Sequence, residues 1–545
     1  MKRIIFAAFC IFGGIQSEAQ TDTDLHQLIS GLDTLRSSLK IPGMSVALMK
    51  GDSILFERGF GYADLEKKQA VTPATTFRVA SITKTFTSTI IMQLVEQGKL
   101  DLRTPVSAFG VDLNNPQITV KNLLTHTSEG NPGQFYQYSG YRFGKLGIVL
   151  EKLTGKPFYQ LLMENIIGPL PMPSSAPGIK PEVYFSYTKQ NASMTPFFVK
   201  ANANLAKPYA LNGNEAVTEI KYLDEFGAFG GLITNAHDLL AYSSAIDRNR
   251  FVSANTQSEI FTPNRTTDGK LTPYGLGWFT QNYRGIDFYW HYGQTQGESG
   301  LFVKVPSLNL TFVVLTNIET LSQPFPLGDG DLFTSPAGQL FYRYCINQNK
   351  DLHRIDYFSS IPEISHALTD FNQNTFRDFY NKELISQATV CLVRNDTVRA
   401  RQIYQLYAQL NFKDSNIFHG KEIIADINQV GINQDISRSF ILTQSTRLEI
   451  YGVGENCSGD FSSWCDYGWI EDATGKTIWQ MQGQPAIHAG GAWKNQKIVQ
   501  SLELPSGKYS LRYRSDAGHA YNNWDSAPPE NFFWGITVFS ADKAH

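Results

Sequence analysis

Directly after Val79-Ala80 the chain turns helical, and the helix it predicts is apolar over most of its circumference. Phe86, Ile90, Ile91, Leu94 and Val95 recur at helical spacing, and Gly98 stands where a helix C-terminus takes a left-handed residue. A helix with so little polar surface has to be enclosed by other elements. The chain has the material for this: 545 residues, 42% of them apolar, exceed what one ordinary core organises, so one large domain and at least one smaller one are expected. A formal net charge of -3 gives no electrostatic reason to expect nucleic acid or an anionic membrane as partner.

The first residues are set apart. Lys2 and Arg3 precede an apolar run from Ile4 to Ile15, and Ser17-Glu18-Ala19 supplies small residues where a signal peptidase reads. Residues 1–19 are therefore expected to be a signal peptide, with periplasmic or secreted localisation. The run is shorter than the roughly 18–20 residues a membrane span needs, and no later segment is long and apolar enough, so no membrane span is expected. Bulky Phe9 before Cys10 argues against lipid attachment. Past the leader stand Cys345, Cys391, Cys457 and Cys465; an oxidising compartment permits bridges, and Cys457 with Cys465 is the best candidate pair. Their spacing with histidine matches no zinc pattern, so no structural metal is expected.

About Asp22 to Leu39 reads as an amphipathic helix, and Gly43–Leu48 and Ser53–Gly59 as short strands around Lys50-Gly51-Asp52. Strands return from Phe288, with Leu301–Val305 and Leu310–Thr316 flanking the turn Pro306-Ser307-Leu308-Asn309. Strands at both ends with helices between predict a mixed sheet covered by helices. About 350 to 430 is polar and mostly helical in pattern, with Val398–Leu410 its clearest helix. Beyond Gly431 short β-branched and aromatic runs (Leu448–Val453, Gly468–Glu471, Ile498–Leu504, Tyr509–Arg514, Phe533–Phe539) predict a small sandwich.

A serine hydroxyl is a poor nucleophile until a base takes its proton. In Ser81-Ile82-Thr83-Lys84 the hydroxyl and the amine are three residues apart, on one face of a helix, at the head of the buried stretch. Burial there lowers a lysine pKa toward that of a useful base, and the serine amide lies at the positive helix end. Ser-x-x-Lys alone is common and means little. Its surroundings carry more: Phe77-Arg78-Val79-Ala80 before it, Gly98-Lys99-Leu100-Asp101-Leu102 after it, then in order Leu123-Leu124-Thr125-His126-Thr127-Ser128, Tyr138-Ser139, Gly230-Gly231-Leu232-Ile233-Thr234, Tyr274-Gly275-Leu276-Gly277-Trp278 and Val314-Leu315-Thr316-Asn317. Over about residues 25 to 345 this ordered set resembles the serine β-lactamase-like superfamily, which comprises class C β-lactamases, D-alanyl-D-alanine carboxypeptidases and related esterases.

The resemblance implies an α/β fold of the β-lactamase/transpeptidase type, a mixed antiparallel sheet covered by helices, over residues 20–347. A helical connector (348–430) and a C-terminal all-β sandwich domain (431–545) follow. It implies that Ser81 forms an acyl-enzyme, that Lys84 shares its proton with Tyr138, and that His291-Tyr292-Gly293 is the family's third element, on a strand lining the cleft. His291 would then be catalytic, Gly293 and Gln294 would bind substrate, and the backbone N–H groups of Ser81 and Gln294 would form the oxyanion hole. Gly140 stands where the family carries the asparagine of Tyr-x-Asn, and His291 replaces a lysine; both departures argue against an efficient β-lactamase. His126 reads as a structural hydrogen-bonding residue, Tyr274 and Trp278 as packing or cleft-wall residues.

The expected partner is a small peptide or ester substrate, peptidoglycan-derived fragments being the first class to test, with no metal or organic cofactor. The alternative is a catalytically weakened protein that keeps the fold and binds cell wall or glycan. Asp516, His519, Tyr521, Asn522, Trp524 and Asp525 mix aromatic and polar groups as a sugar- or calcium-binding loop does, and equally as a plain polar loop with anchoring aromatics does.

Overall fold

The computed structural model describes residues 10–212, 216–223, 225–347, 352, 355–356, 358–368, 375–412, 422–457, 463–489, 494–518, 520–521 and 533–541. Two compact units form. The first holds residues up to 323 with 330–352 and 393–395, the second the remainder.

The first unit is built on a seven-stranded sheet. Its strands are β1 (Gly43–Lys50), β2 (Ser53–Asp64), β3 (Gln69–Ala70), β4 (Phe279–Tyr283), β5 (Ile286–Thr295), β6 (Glu298–Val305) and β7 (Leu310–Thr316), in the order β3-β2-β1-β7-β6-β5-β4. Every pairing is antiparallel. The first strand pairs along its whole length with the last, Met44 opposite Thr316 and Lys50 opposite Leu310, so the sheet closes around a long insertion that carries most helices. β6 and β7 are buried at every position, which requires cover on both faces, and adjacent residues of β7 show it. Thr311 hydrogen-bonds Ser243 of the helix Ala236–Asp247 on one side, while Phe312 stacks on Phe341 of the helix Pro336–Phe341 on the other, with ring centroids 4.7 Å apart. The expected N-terminal helix is present as α1 (Cys10–Ser38), and Asn309, left-handed at φ 52°, closes the expected turn between β6 and β7.

Helix α2 (Thr83–Glu96) is enclosed as its sequence demands: every residue from Thr83 to Met92 is buried. Ile82, Phe86, Ile90, Ile91, Met92 and Leu94 belong to the main apolar core, each contributing about 1.5–3 kcal/mol when removed from water. The hydroxyls on its girth find acceptors inside: Thr87 donates to the Ala228 carbonyl at 2.7 Å, Ser88 to that of Leu276, and Thr89 meets the Tyr242 hydroxyl at 2.8 Å. Gly98 at φ 68° ends the helix.

In the second unit, helices at Ile361–Ala367, Arg377–Val393 and Thr397–Phe412 precede two antiparallel sheets. One contains Ile423–Ile427, Gly535–Ser540, Thr446–Glu455, Asn495–Leu504 and Ile487–His488; the other Asp435–Leu442, Gly507–Arg514, Tyr467–Asp472 and Thr477–Gln480. Both feed one apolar core around Trp534, Tyr513, Ile450 and Leu511, which makes a sandwich. Ile423–Ile427, inside the stretch read as helical connector, is a strand: it pairs with Gly535–Ser540 and buries alternate Ala425 and Ile427, a period of two over a run too short to stand out. Cys457 and Cys465 are disulfide-bonded, and Cys345 and Cys391 are in no disulfide. In the polar loop of this unit, His519, Asn522, Trp524 and Asp525 lie outside the described residues.

Candidate active site

Ser81 is presented by a tight turn. The short strand Phe77–Arg78 pairs with Leu232–Thr234, and the Val79 N–H donates to the Leu232 carbonyl at 2.9 Å. Ala80 then takes the left-handed conformation, φ 41°, a costly one for a residue with a Cβ. Ser81 follows in a single 3-10 turn that runs into α2. One glycine lets the surrounding chain close on this turn, and a second lies in ordinary contact with it. A Cβ at Gly293 of β5 would fall 2.2 Å from the Val79 carbonyl oxygen, and one at Gly230 would sit 3.5 Å from the Ala80 backbone. Gly293 is thus a close-approach glycine packed on the Ser81 turn, and it is not among the residues that line the cavity over Ser81.

Lys84 is the second residue of the buried helix, one turn beyond Ser81, with no exposed surface. Its Nζ is 2.7 Å from Ser81 Oγ and 2.9 Å from the Phe229 carbonyl oxygen. No acidic partner offsets the burial among the described residues, and burial alone brings its pKa down to about 7. A neutral amine fits this pair of contacts: one N–H donates to Phe229 and the lone pair accepts the serine proton.

The phenol of Tyr138 completes the group. Its ring is 5.2 Å from Lys84 Nζ, and its hydroxyl is buried without a hydrogen bond of ordinary geometry. Burial pushes its pKa well up, and the nearby Ser81 hydroxyl draws it down only in part. The loop carrying Tyr138 is braced by His126, whose ring packs 4.3 Å from that of Tyr138 and whose Nδ1 accepts the Ser139 N–H at 3.1 Å. This fixes the proton of a neutral His126 on Nε2 and makes it the structural residue expected. Ser139 caps the short helix Gly140–Gly144. A Cβ on Gly140 would meet nothing but Lys84 Nζ, at 3.9 Å, so the place of the family asparagine is open space beside the amine.

His291 departs from expectation. It is fully buried and does not line the cleft: Nε2 faces the Tyr274 hydroxyl at 2.8 Å and Nδ1 the Tyr292 carbonyl at 2.6 Å. The carbonyl accepts from Nδ1–H, leaving Nε2 to accept from the Tyr274 hydroxyl. Burial, with Lys84 close by, holds its pKa well below the usual histidine value. His291 is therefore a neutral brace behind Tyr138, their rings 6.2 Å apart, and its neighbour Tyr292 is the one that lines the cleft. Both rings pack against Tyr138 and Phe279, but the two nitrogens of His291 are spent on Tyr274 and on the Tyr292 carbonyl inside the protein. Tyr274 and Trp278 are packing residues, both buried.

A cavity of about 900 Å³ opens over Ser81, lined among others by Tyr138, Gly140, Phe229, Tyr292, Gln294 and Glu298. Ser81, Lys84, Tyr138, Gly140 and Gln294 thus come together as the sequence predicts. Two residues that sequence reasoning passed over join them: Glu298, 2% exposed at the head of β6, and Arg78, 6% exposed beside it. As for metals, Glu455, Cys457, Cys465 and Asp516 bring four donor atoms within 4.8 Å of one another, but the disulfide takes both thiolates out of any ligand set.

A serine whose hydroxyl touches a buried lysine one helical turn on, with a tyrosine beside both, is the arrangement that a Ser-x-x-Lys site calls for. Residues 26–330, more than half of the chain, match the family model described as Beta-lactamase, and the chain belongs to that family of serine hydrolases. Protein flp of Staphylococcus aureus (strain MW2) is 26% identical over 353 residues, 56% of this chain and 64% of that protein. Putative penicillin-binding protein PbpX of Bacillus subtilis (strain 168) is 28% identical over 295 residues, 48% of this chain and 68% of that protein. The chain spans less than two thirds of the length of the flp proteins it matches. The octameric penicillin-binding protein homologue from Pyrococcus abyssi shares the fold, with a TM-score of 0.50 and 21% identity over 67% of this chain and 82% of that one.

Proposed function

We propose that this chain is an exported serine hydrolase that forms an acyl-enzyme on Ser81 with an ester or peptide substrate. The observation that carries the reading is the 2.7 Å contact between Lys84 Nζ and Ser81 Oγ in a site where the amine is fully buried. The neutral amine takes the hydroxyl proton as Oγ attacks the substrate carbonyl carbon. The carbonyl π bond opens to an oxyanion, which collapses to the Ser81 ester as the bond to the leaving group breaks. Tyr138 keeps its proton at neutral pH because its pKa is raised, so it serves as donor to the leaving group and is reprotonated from the Lys84 ammonium. Water then attacks the ester by the same relay in reverse.

The cavity wall informs the substrate. Tyr138, Tyr141, Phe226, Phe229 and Tyr292 offer aromatic surface, suited to an apolar acyl or side-chain group. Gly140 has no side chain to hold an acylamino carbonyl, and neutral His291 gives no fixed positive charge for a carboxylate. Both features disfavour efficient β-lactam hydrolysis and leave small esters and D-amino-acid peptides, including fragments derived from peptidoglycan, as the classes to test. Export is supported by the basic, apolar and small-residue sequence of the leader, and no helix of the described residues is long and apolar enough to cross a membrane. Gly140 favours a second reading, a binding protein that keeps the fold without turnover; the intact Ser81–Lys84–Tyr138 group opposes it.

Labelling the full chain with a fluorescent fluorophosphonate and a fluorescent penicillin, beside Ser81→Ala, tests the reading. Fluorophosphonate labelling that Ser81→Ala abolishes is expected, with weak or no penicillin adduct. A wild type that takes neither reagent would leave the binding protein standing.

A further inference from the structure

Glu298 stands 218 residues from the Ser81 turn in sequence and touches it. Its Oε2 accepts the Ala80 N–H at 3.1 Å, and Ala80 is the residue held left-handed immediately before the nucleophile. Its Oε1 is paired with Arg78 Nε at 3.3 Å, off the hydrogen-bond direction, with both side chains nearly inaccessible. The rest of the Arg78 guanidinium donates to the carbonyls of Leu223 and Glu225 on the cavity wall and lies over the Tyr222 ring, 5.2 Å from its centroid. The whole assembly reaches the cavity, since Arg78, Ala80, Ser81 and Glu298 all line it. A strained left-handed alanine needs something that over-determines it, and a charge-assisted acceptor on its N–H, itself fixed by a buried cation, is such a device.

We propose that Glu298 is a positioning residue for Ser81: its carboxylate, anchored by Arg78, holds the Ala80 N–H and so keeps the nucleophile's turn in its reactive form, and it does this fully only while ionised. The inference rests on the reading of Ser81 as nucleophile. Glu298 is faced by Arg78, which favours its charge, and by Glu225, which opposes it, while burial, with the Glu298 charge adding to it, keeps the Tyr222 phenol protonated. Burial outweighs these neighbours and raises its pKa to about 7. The groups around Lys84 are Tyr138, His126 and His291, the histidines held neutral. Acidification from neutral pH therefore protonates two groups that the site needs unprotonated, Lys84 and Glu298, and the acid side of the rate profile should fall with more than one proton.

The test measures fluorophosphonate labelling rates of the full-length wild type, Glu298→Gln and Glu298→Ala from about pH 5 to 9. Deuterium exchange of the segment Arg78–Thr83 and thermal unfolding are followed in parallel. Below neutrality the wild-type rate is expected to fall by more than tenfold per pH unit, approaching a hundredfold, and that of Glu298→Gln by about tenfold. Glu298→Ala is expected to label at least about tenfold more slowly at its best pH, and its Ala80 segment to exchange faster. Glu298→Gln, which keeps the size and an acceptor, covers the case in which the alanine variant fails to fold. Equal slopes in wild type and Glu298→Gln, or unchanged exchange at Ala80 in the folded variants, would overturn the proposal. A wild type that takes no label refutes the reading of Ser81 instead, and the exchange data alone then decide whether Glu298 holds the turn.

Discussion

Among its described residues the first unit buries a lysine in two places, and the two are built to opposite ends. Lys304 of β6 is 1% exposed, yet its ammonium meets Asp247 at 2.9 Å, the Ser243 carbonyl at 3.2 Å and the Ser243 hydroxyl. Burial lowers its pKa while Asp247 draws it back, and the ion pair ties the sheet to the helix Ala236–Asp247. Lys84 is equally buried, but its partners are a hydroxyl and a carbonyl, and nothing acidic balances it among the described residues. One amine has an acid beside it and works as a bolt; the other has none and, on the proposed reading, is prepared to lose its proton and work as a base. Burial by itself does not distinguish the two, and the partner does.

The comparison breaks first at Lys84. Lys84→Met should reduce fluorophosphonate labelling of Ser81 by about 10²–10⁴-fold, the range general-base catalysis commands, while the protein becomes no less stable at neutral pH. The sign follows from linkage. The folded pKa of Lys84, about 7, lies below the ordinary value of 10.5, so between these limits the unfolded chain binds the extra proton and wild-type stability falls as pH falls. The stability gap in favour of Lys84→Met should therefore widen by up to about 1.4 kcal/mol per pH unit from about pH 10 down to 7 and stay level below that. Urea denaturation at a series of pH values measures it, and a gap that stays flat from about pH 10 to 7 would mean that Lys84 keeps its charge in the folded state.

The opposite change is expected at Lys304. Breaking a buried pair costs about 3–5 kcal/mol, but Asp247 is 46% exposed and regains water, so Lys304→Met should cost only about 1–3 kcal/mol. Labelling of Ser81 well below the melting temperature should stay within about twofold of wild type. A variant that is stable but unreactive would show that this lysine, too, serves the site.

What could be read in advance divides along the same physical line. Ser81 and Lys84 are one helical turn apart on a helix whose apolar girth announces its burial, so local spacing suffices to join them. The hairpin of β6 and β7 and most sandwich strands are likewise local patterns. Asp435–Leu442 hides because it is largely exposed and buries only Phe440 and Leu442 at its far end. His291 misled because β5 is buried on both faces around it; which of His291 and Tyr292 looks into the cleft is set by the sheet, not by the strand's own alternation. Glu298 and Arg78 meet across 220 residues, and no short-range pattern marks a carboxylate that will accept an N–H from a turn so distant in sequence.

Gly140 offers the finest adjustment between the two lysine designs. It has no left-handed φ to protect and stands just after the Ser139 cap, with only Lys84 Nζ near the position of an added Cβ. Gly140→Asn should therefore fold, and the asparagine carbonyl would give Lys84 an acceptor in the way that Ser243 serves Lys304. Accepting from the amine favours its charged form, so the Lys84 pKa should rise by a few tenths of a unit and labelling below pH 7 should slow by about twofold, with the rate at pH 9 unchanged. The same side chain supplies a donor for an acylamino carbonyl, so the penicillin adduct should form up to about tenfold faster, the worth of one hydrogen bond of about 1.4 kcal/mol. Faster labelling at low pH with no gain toward penicillin would place the new amide away from the amine and return the space beside Lys84 to the substrate.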